Sequence, residues 1–288
     1  NTSTTIDGVD ATAASNSVTI NLDDGDKTAA NTAVDLATAF TITDFKTATI
    51  NTNLDANNFN GAAYVGSVIT GMNASSDNTN VTINSGSNAL EIAGTTSTGT
   101  GAFSINSDAA VTMTNAAAIT ASAFTHTGSG AVTYDDLDTS TLGTVTTGSG
   151  NDTITVAATN GDLALNTGGG NDSIVLVATT TTAKAFTING GDGADKLVID
   201  GGSDGDNLDI STGTSTITLS GVETIYVNED DTNDALTVTV KAGLVNNAGL
   251  ILDAEAGADA LNFTIALGTV TNLNLANLTV NTDNLQHT

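Results

Sequence analysis

The chain has 288 residues and a formal net charge of −27, because 32 acidic residues face five lysines and no arginine. Five cations cannot neutralise a phosphate backbone, and no apolar run approaches the roughly 20 residues that span a bilayer, so nucleic-acid binding and membrane insertion are excluded. The absence of cysteine excludes disulfides, thiolate metal sites and thiol nucleophiles.

Short segments in which apolar residues alternate with polar ones recur along the whole chain, each bounded by Gly, Asn, Asp or Ser. Such alternation in Thr-, Val- and Ile-rich segments predicts half-buried β-strands. Residues 28–40 are Ala-rich and are the one candidate for a short helix. The predicted strands are 17–22, 39–43, 47–52, 80–84, 153–157, 173–177, 185–189, 196–200, 216–220, 224–227, 236–240 and 273–280.

A six-residue pattern occurs six times in the second half of the chain. It consists of an Asp, then Ile or Leu two positions later, then an apolar residue two positions after that. A repeated unit of one turn plus one strand predicts an all-β fold of stacked coils, a β-solenoid. The six Asp residues are Asp152, Asp172, Asp195, Asp206, Asp234 and Asp259.

The first four of these Asp residues follow glycine-rich turns, which read TGSGN, TGGGN, GGDGA and GGSDG in chain order. Glycines allow sharp turns that direct backbone carbonyls inward, and an Asp adds a hard carboxylate. A flexible set of oxygen ligands suits Ca²⁺ better than Mg²⁺, which demands a tighter octahedron. The predicted ligands of several Ca²⁺ ions are Gly148, Gly150, Asn151, Asp152, Gly168, Gly170, Asn171, Asp172, Gly191, Asp192, Gly193, Asp195, Gly202, Asp204, Asp206, Asp234 and Asp259.

These turns resemble the RTX nonapeptide GGxGxDxUx. Residues 190–197 match its consensus fully, while 147–154 and 167–174 lack only the first glycine. The resemblance implies an elongated, right-handed parallel β-roll in which each Ca²⁺ lies between turns of successive coils.

The spacing of the Asp residues predicts how they are shared between the two edges of such a roll. Asp152, Asp172 and Asp195 follow one another at intervals close to the length of one coil, which places them on one edge. The opposite edge receives Asp162 and is expected to be mostly free of metal. The interval from Asp195 to Asp206 is only about half a coil, so the Asp206 turn is expected to face that opposite edge.

Residues 214–228, TSTITLSGVETIYVN, resemble an element of calcium-dependent surface-layer (S-layer) proteins and large RTX adhesins of Gram-negative bacteria. This resemblance implies a structural, non-enzymatic protein of the bacterial cell surface, which leaves by type I secretion and assembles on extracellular Ca²⁺. The implied partners are further copies, in a lattice or fibre, and the bacterial outer surface with its polysaccharide. An adhesin or biofilm stalk is the alternative function. Because no Met or leader precedes Asn1, we expect a mature chain or a fragment.

The nonapeptide resemblance predicts an RTX-type β-roll over 147–288. Residues 1–146 are either a continuation of the solenoid, with Asn and Thr ladders in place of metal, or a separate β domain. The acidic segment 134–138 is expected to be a solvated turn, and His126 and His287 are expected at the surface.

Two further functions are weaker alternatives. Thr-x-Thr segments are typical of ice-binding proteins but have no fixed period here. A β-helix enzyme acting on polysaccharide resembles proteins that commonly use a catalytic arginine, which this chain lacks.

Overall fold

The structure is a computed structural model that describes residues 4–7, 16–22, 35–36, 39–52, 67–75, 78–114, 119–139, 141–158, 161–177, 185–200, 208–209, 216–228, 235–241, 250–254, 260–266, 276 and 279–280. Within these ranges every regular element is a β-strand and every strand pairing is parallel. The predicted all-β parallel solenoid is therefore confirmed.

The described strands form four sheets. Sheet A contains β1 (Thr4–Asp7), β4 (Phe40–Thr43), β7 (Met72–Asn73), β10 (Thr96–Ser97) and β13 (Ile119–Thr120). Sheet B contains β2 (Ser17–Asn21), β5 (Thr47–Asn51), β8 (Asn80–Gly86), β11 (Phe103–Ser107), β14 (Phe124–Thr127), β16 (Thr144–Thr146), β18 (Leu163–Asn166), β20 (Ala185–Asn189) and β23 (Thr216–Ser220). Sheet C contains β3 (Asp35–Leu36), β6 (Ser67–Ile69), β9 (Leu90–Ile92), β12 (Val111–Met113), β15 (Val132–Asp138), β17 (Thr153–Ala158), β19 (Ser173–Val177), β21 (Lys196–Asp200), β24 (Thr224–Asn228), β26 (Ile251–Ala254) and β28 (Thr279–Val280). Sheet D contains β22 (Leu208–Asp209), β25 (Ala235–Lys241) and β27 (Ala260–Ala266).

The coil changes its cross-section along the chain. From β1 to β15 the strands visit sheets A, B and C in strict rotation, so each coil has three sides. From β16 to β21 they alternate between sheets B and C, so these coils have two sides. Sheets B and C both continue across residue 146, since β14 pairs with β16 and β15 pairs with β17.

The core follows from the alternation within each strand. In β5, Ala48 and Ile50 are buried while the Thr and Asn residues between and beside them are exposed or half-buried. Parallel pairing without a register change stacks equivalent positions, so the apolar residues form continuous columns along the solenoid. Phe103 and Phe124 stack in this way, with ring centroids 5.7 Å apart. They help to fill the core of the three-sided coils.

Two local predictions are wrong. The candidate helix at 28–40 is contradicted where the structure describes it, because Asp35–Leu36 is strand β3 and β4 begins at Phe40. The acidic segment 134–138 is not a turn but the second half of β15, where the register with β17 shifts between Tyr134 and Leu137. That irregularity leaves Asp135 exposed and buries Leu137.

No helix long and apolar enough to cross a membrane occurs in the part of the chain that the structure describes.

Candidate metal centre

Three predicted ligand residues lie together on one edge of the solenoid. Asp152, Asp172 and Asp195 each occupy the turn by which the chain passes from sheet B to sheet C, immediately before β17, β19 and β21. They are therefore one coil apart, as their spacing in sequence predicts. Adjacent strands in a sheet are about 4.8 Å apart, which sets the rise from one Asp to the next.

The glycines allow these turns to stack directly on one another. A Cβ built at Gly168 would lie 2.0 Å from the carbonyl oxygen of Gly148, and one at Gly191 would lie 1.8 Å from that of Gly168. Gly168 and Gly191 also have φ values of 90° and 99°, which L-residues with a side chain rarely adopt. Gly150, Gly170 and Gly193 form a second column with equally close approaches. Only glycine fits at either column.

One oxygen of each carboxylate accepts a hydrogen bond from the backbone of the neighbouring coil. The Asp152 N–H donates to Oδ1 of Asp172 (2.8 Å), and the Asp172 N–H donates to Oδ1 of Asp195 (2.9 Å). At the upstream end, the Val132 N–H donates to Oδ1 of Asp152 (2.7 Å). Charged acceptors make hydrogen bonds about twice as strong as neutral ones. We refer to Asp152, Asp172 and Asp195 as the Asp ladder.

The other oxygen of each carboxylate has no hydrogen-bond donor. The Asp ladder residues are 1%, 2% and 1% exposed, and their Oδ2 atoms are buried without a partner. The nearby Thr147 hydroxyl does not fill this need, because it donates to the Thr167 carbonyl (2.9 Å). Buried polar atoms are normally satisfied, so three orphaned oxygens in one row are suited to a cation or a proton as their partner.

Burial shifts the titration of the Asp ladder upwards. Loss of hydration raises the pKa of Asp152 to about 6, although the hydrogen bond from the Val132 N–H acts in the opposite direction. Burial likewise raises the pKa of Asp172 and of Asp195, and the charge of the neighbouring acidic residue adds to both increases. An ionised Asp ladder is therefore costly to bury unless a cation compensates it.

Asn side chains form a second, outer ladder on the same turns. The Asn171 N–H donates to Oδ1 of Asn151 (2.8 Å), and the Ala194 N–H donates to Oδ1 of Asn171 (2.9 Å). These two predicted ligand residues are exposed, and their oxygens already accept backbone protons. Asp192 is also exposed, and its backbone exchanges hydrogen bonds with the turn below, to Gly168 O and from the Gly170 N–H.

The opposite edge carries an Asp that is arranged differently. Asp162 is exposed, and its Oδ1 accepts the Ala185 N–H of the next coil (3.0 Å). Unlike the Asp ladder residues, Asp162 has no oxygen that is both buried and without a partner. The remaining predicted ligands, Gly202, Asp204, Asp206, Asp234 and Asp259, lie outside the described residues, as does His287.

No three acidic or His side chains converge on one point within the described ranges. The candidate site is instead a row of pairs, each formed by the carboxylates of two successive turns. Such a pair offers two hard oxygens, with glycine carbonyls and water as the further ligands that Ca²⁺ accepts. The orphaned Oδ2 atoms and the tight glycine cradle fit this ion.

The sequence-based prediction omitted one residue of the site and placed another wrongly. Glu223, in the turn before β24, accepts the Asp195 N–H through Oε2 (2.8 Å) and so continues the Asp ladder. The sequence signal for it was the Glu of the segment GVET (221–224), which no nonapeptide surrounds. His126 is not at the surface but 1% exposed, inside the coil before the first glycine-rich Asp turn. Loss of hydration lowers its pKa, and its Nε2 lies 3.1 Å from the Ser107 carbonyl oxygen.

No protein-family model, no curated protein and no solved structure matches the chain.

Proposed function

We propose that the protein is a calcium-stabilised structural protein of the bacterial cell surface, a part of an S-layer subunit that folds and assembles when it meets extracellular Ca²⁺. The observation that carries this proposal is the row of three buried, unpaired Oδ2 atoms on the Asp ladder. The ions would be held between Asp152 and Asp172, and between Asp172 and Asp195.

The charge of the chain supports a role for the cation in folding. At −27 the chain repels itself, and stacking the Asp ladder brings like charges within one strand spacing of each other. A divalent ion between two turns removes this repulsion, so that its binding free energy becomes folding free energy. Extracellular calcium modules bind at about 10⁻⁴–10⁻³ M, so such a chain stays loose in the cytosol and folds outside.

The distribution of charge supports self-association through sheet B. None of the nine strands of sheet B contains Asp, Glu, Lys or Arg, whereas sheet C has Glu91, Lys196, Asp200, Asp253 and further acidic residues in its strands. The outward positions of sheet B form registered rows of Thr, Ser and Asn, such as Thr49, Thr82 and Ser104. A strongly acidic protein can approach another copy most closely through such a neutral face.

The decisive test is a calcium titration of the purified chain, monitored by circular dichroism and by electron microscopy. We expect strand signal to be lost in excess chelator and restored by 1 mM Ca²⁺ but not by 1 mM Mg²⁺. Two-dimensional lattices in calcium support the S-layer role, whereas isolated fibres indicate the stalk. Equal strand content and equal thermal stability in chelator and calcium refute the proposal.

A further inference from the structure

We infer that Glu223 and Asp195 form a further calcium-binding pair, one coil beyond the nonapeptide turns. This inference rests on the proposed function, since it extends the same row of sites. It assigns a ligand role to the GVET turn, which lacks the glycine pattern of the other turns.

The backbone contacts place the Glu223 turn in register with the Asp ladder. The Asp195 N–H donates to Oε2 of Glu223 (2.8 Å), just as the N–H groups of Asp152 and Asp172 donate to the next Asp. In the other direction, the Glu223 and Thr224 N–H groups both donate to the Asp195 carbonyl (3.1 Å each). Glu223 thus occupies the ladder position that an Asp fills in the preceding coils.

An unsatisfied buried atom faces this interval. Asp195 is 1% exposed and its Oδ2 has no partner. That oxygen lies 2.6 Å from the position of a Cβ built on Gly190, and the same Cβ would lie 1.9 Å from the Gly221 carbonyl oxygen. The Asp195 carboxylate and the Gly221 carbonyl therefore border the same small space between the two turns.

The longer side chain of Glu explains how the ladder continues through a different turn. The interval in sequence from Asp195 to Glu223 is longer than either interval between successive residues of the Asp ladder. The extra methylene of Glu lets a carboxylate reach the ladder position from the GVET turn. Two acidic side chains, a backbone carbonyl and water satisfy the preference of Ca²⁺ for hard, flexible oxygen ligands.

The test counts the Ca²⁺ ions bound per chain by equilibrium dialysis, in the wild type, in Glu223→Gln and in Glu91→Gln. Gln keeps an oxygen to accept the Asp195 N–H but loses the charge, so a merely structural role survives this change. Glu91 lies on β9 of sheet C, away from the Asp ladder, and serves as the matched control. Circular dichroism verifies that each variant has wild-type strand content in calcium.

We expect Glu223→Gln to bind one Ca²⁺ fewer than the wild type, with the affinity of the remaining ions changed by less than about threefold. Glu91→Gln should bind the full number. An unchanged count in Glu223→Gln overturns the inference and leaves the proposed function standing, whereas a wild type that binds no Ca²⁺ overturns the proposed function itself. If Glu223→Gln does not fold, Glu223→Asp decides: weaker binding of one ion supports the inference, and unchanged binding of all ions overturns it.

Discussion

Replacing Asp152 by Asn tests whether the buried, ionised carboxylates of the Asp ladder destabilise the fold when no cation is bound. The amide has nearly the same shape as the carboxylate, and its oxygen can still accept the Val132 N–H. The variant therefore keeps the contact between coils and replaces the charged, proton-binding Oδ2 by a neutral NH2 group. Any change in stability then reports on the buried Oδ2.

The sign of the effect follows from the pKa of Asp152. Its carboxyl titrates near 3.8 in a model peptide and at about 6 in the folded protein. Because the folded state binds the proton more tightly, the metal-free protein gains stability from this group below pH 3.8 and loses it as pH rises towards 6. Asn cannot titrate, so this loss is absent from the variant.

The magnitude follows from the same difference. One pKa unit corresponds to about 1.4 kcal/mol, so two units give about 3 kcal/mol. Water screens part of the interaction, and we take about half, or ~1.5 kcal/mol. In chelator at pH 7.5, Asp152→Asn should therefore be ~1.5 kcal/mol more stable than the wild type, and at pH 4 the advantage should disappear.

Calcium should cancel the advantage of the variant, so that the two proteins become about equally stable. At 1 mM Ca²⁺ and a Kd of about 10⁻⁴ M, one site stabilises the folded state by ~1.4 kcal/mol. The variant loses this contribution at the first interval of the Asp ladder. Since protons and Ca²⁺ compete for the same Oδ2, the calcium effect in the wild type should also weaken below pH 6.

The assay is urea unfolding followed by circular dichroism at pH 4 to 8, with chelator or with calcium. Asp162→Asn is the control, because Asp162 also accepts a backbone N–H from the next coil but is exposed. It should leave the curves unchanged. If Asp152→Asn were destabilised in chelator by the same amount at pH 4 and pH 7.5, the reasoning about a strained charge would be refuted.

Three further substitutions test the fold and the neutral face of sheet B. Gly168→Ala should lower the free energy of unfolding by more than about 2 kcal/mol with or without calcium, because φ is positive there and a carbonyl oxygen lies 2.0 Å from the new Cβ. Gly169→Ala is the control, since its nearest neighbour is 3.8 Å away, and it should be nearly neutral in urea unfolding. Phe124→Ala should cost about 3–5 kcal/mol, measured in the same way, because this ring is fully buried against a second Phe. Thr82→Asp on sheet B should abolish calcium-induced assembly, measured by light scattering, without lowering thermal stability. The control Thr112→Asp on sheet C should assemble normally. Assembly of both variants would exclude sheet B as the interface.

Much of the fold was predictable because most strands show a simple alternation of apolar and polar residues. TATIN at 47–51 and FTIN at 186–189 alternate apolar and polar residues, and both lie in strands of sheet B with the apolar residues buried. The candidate helix failed because the parallel pairing of Asp35–Leu36 with β6 outweighed the helix propensity of Ala in this short segment. The third sheet of the early coils was not predictable, since nothing in local alternation states how many strands close one coil.

The candidate site was predictable in its position but not in its chemistry. The nearly regular recurrence of the Asp turns in the sequence places the Asp ladder on one edge, whatever the details of those turns. In each Asp, one carboxylate oxygen accepts a backbone N–H, while the other is buried and unpaired. This difference depends on the orientation of the side chain, which a sequence motif does not encode. Glu223 and His126 were missed for the same reason, because each sits at a ladder or column position that only the register reveals.

The location of the Asp ladder relates the proposed metal sites to the architecture of the solenoid. The ladder lies in the two-sided coils β16 to β21, where sheet A has ended and the chain turns from sheet B to sheet C within a few glycine-rich residues. The core of these coils consists of Ile, Val and Leu with one buried aromatic ring, that of Phe186. Their edge also buries carboxylates, which opposes folding. This segment is therefore the part of the described solenoid whose stability should depend most on a cation, and partial unfolding in chelator should begin there, while the three-sided coils retain their protection from hydrogen exchange.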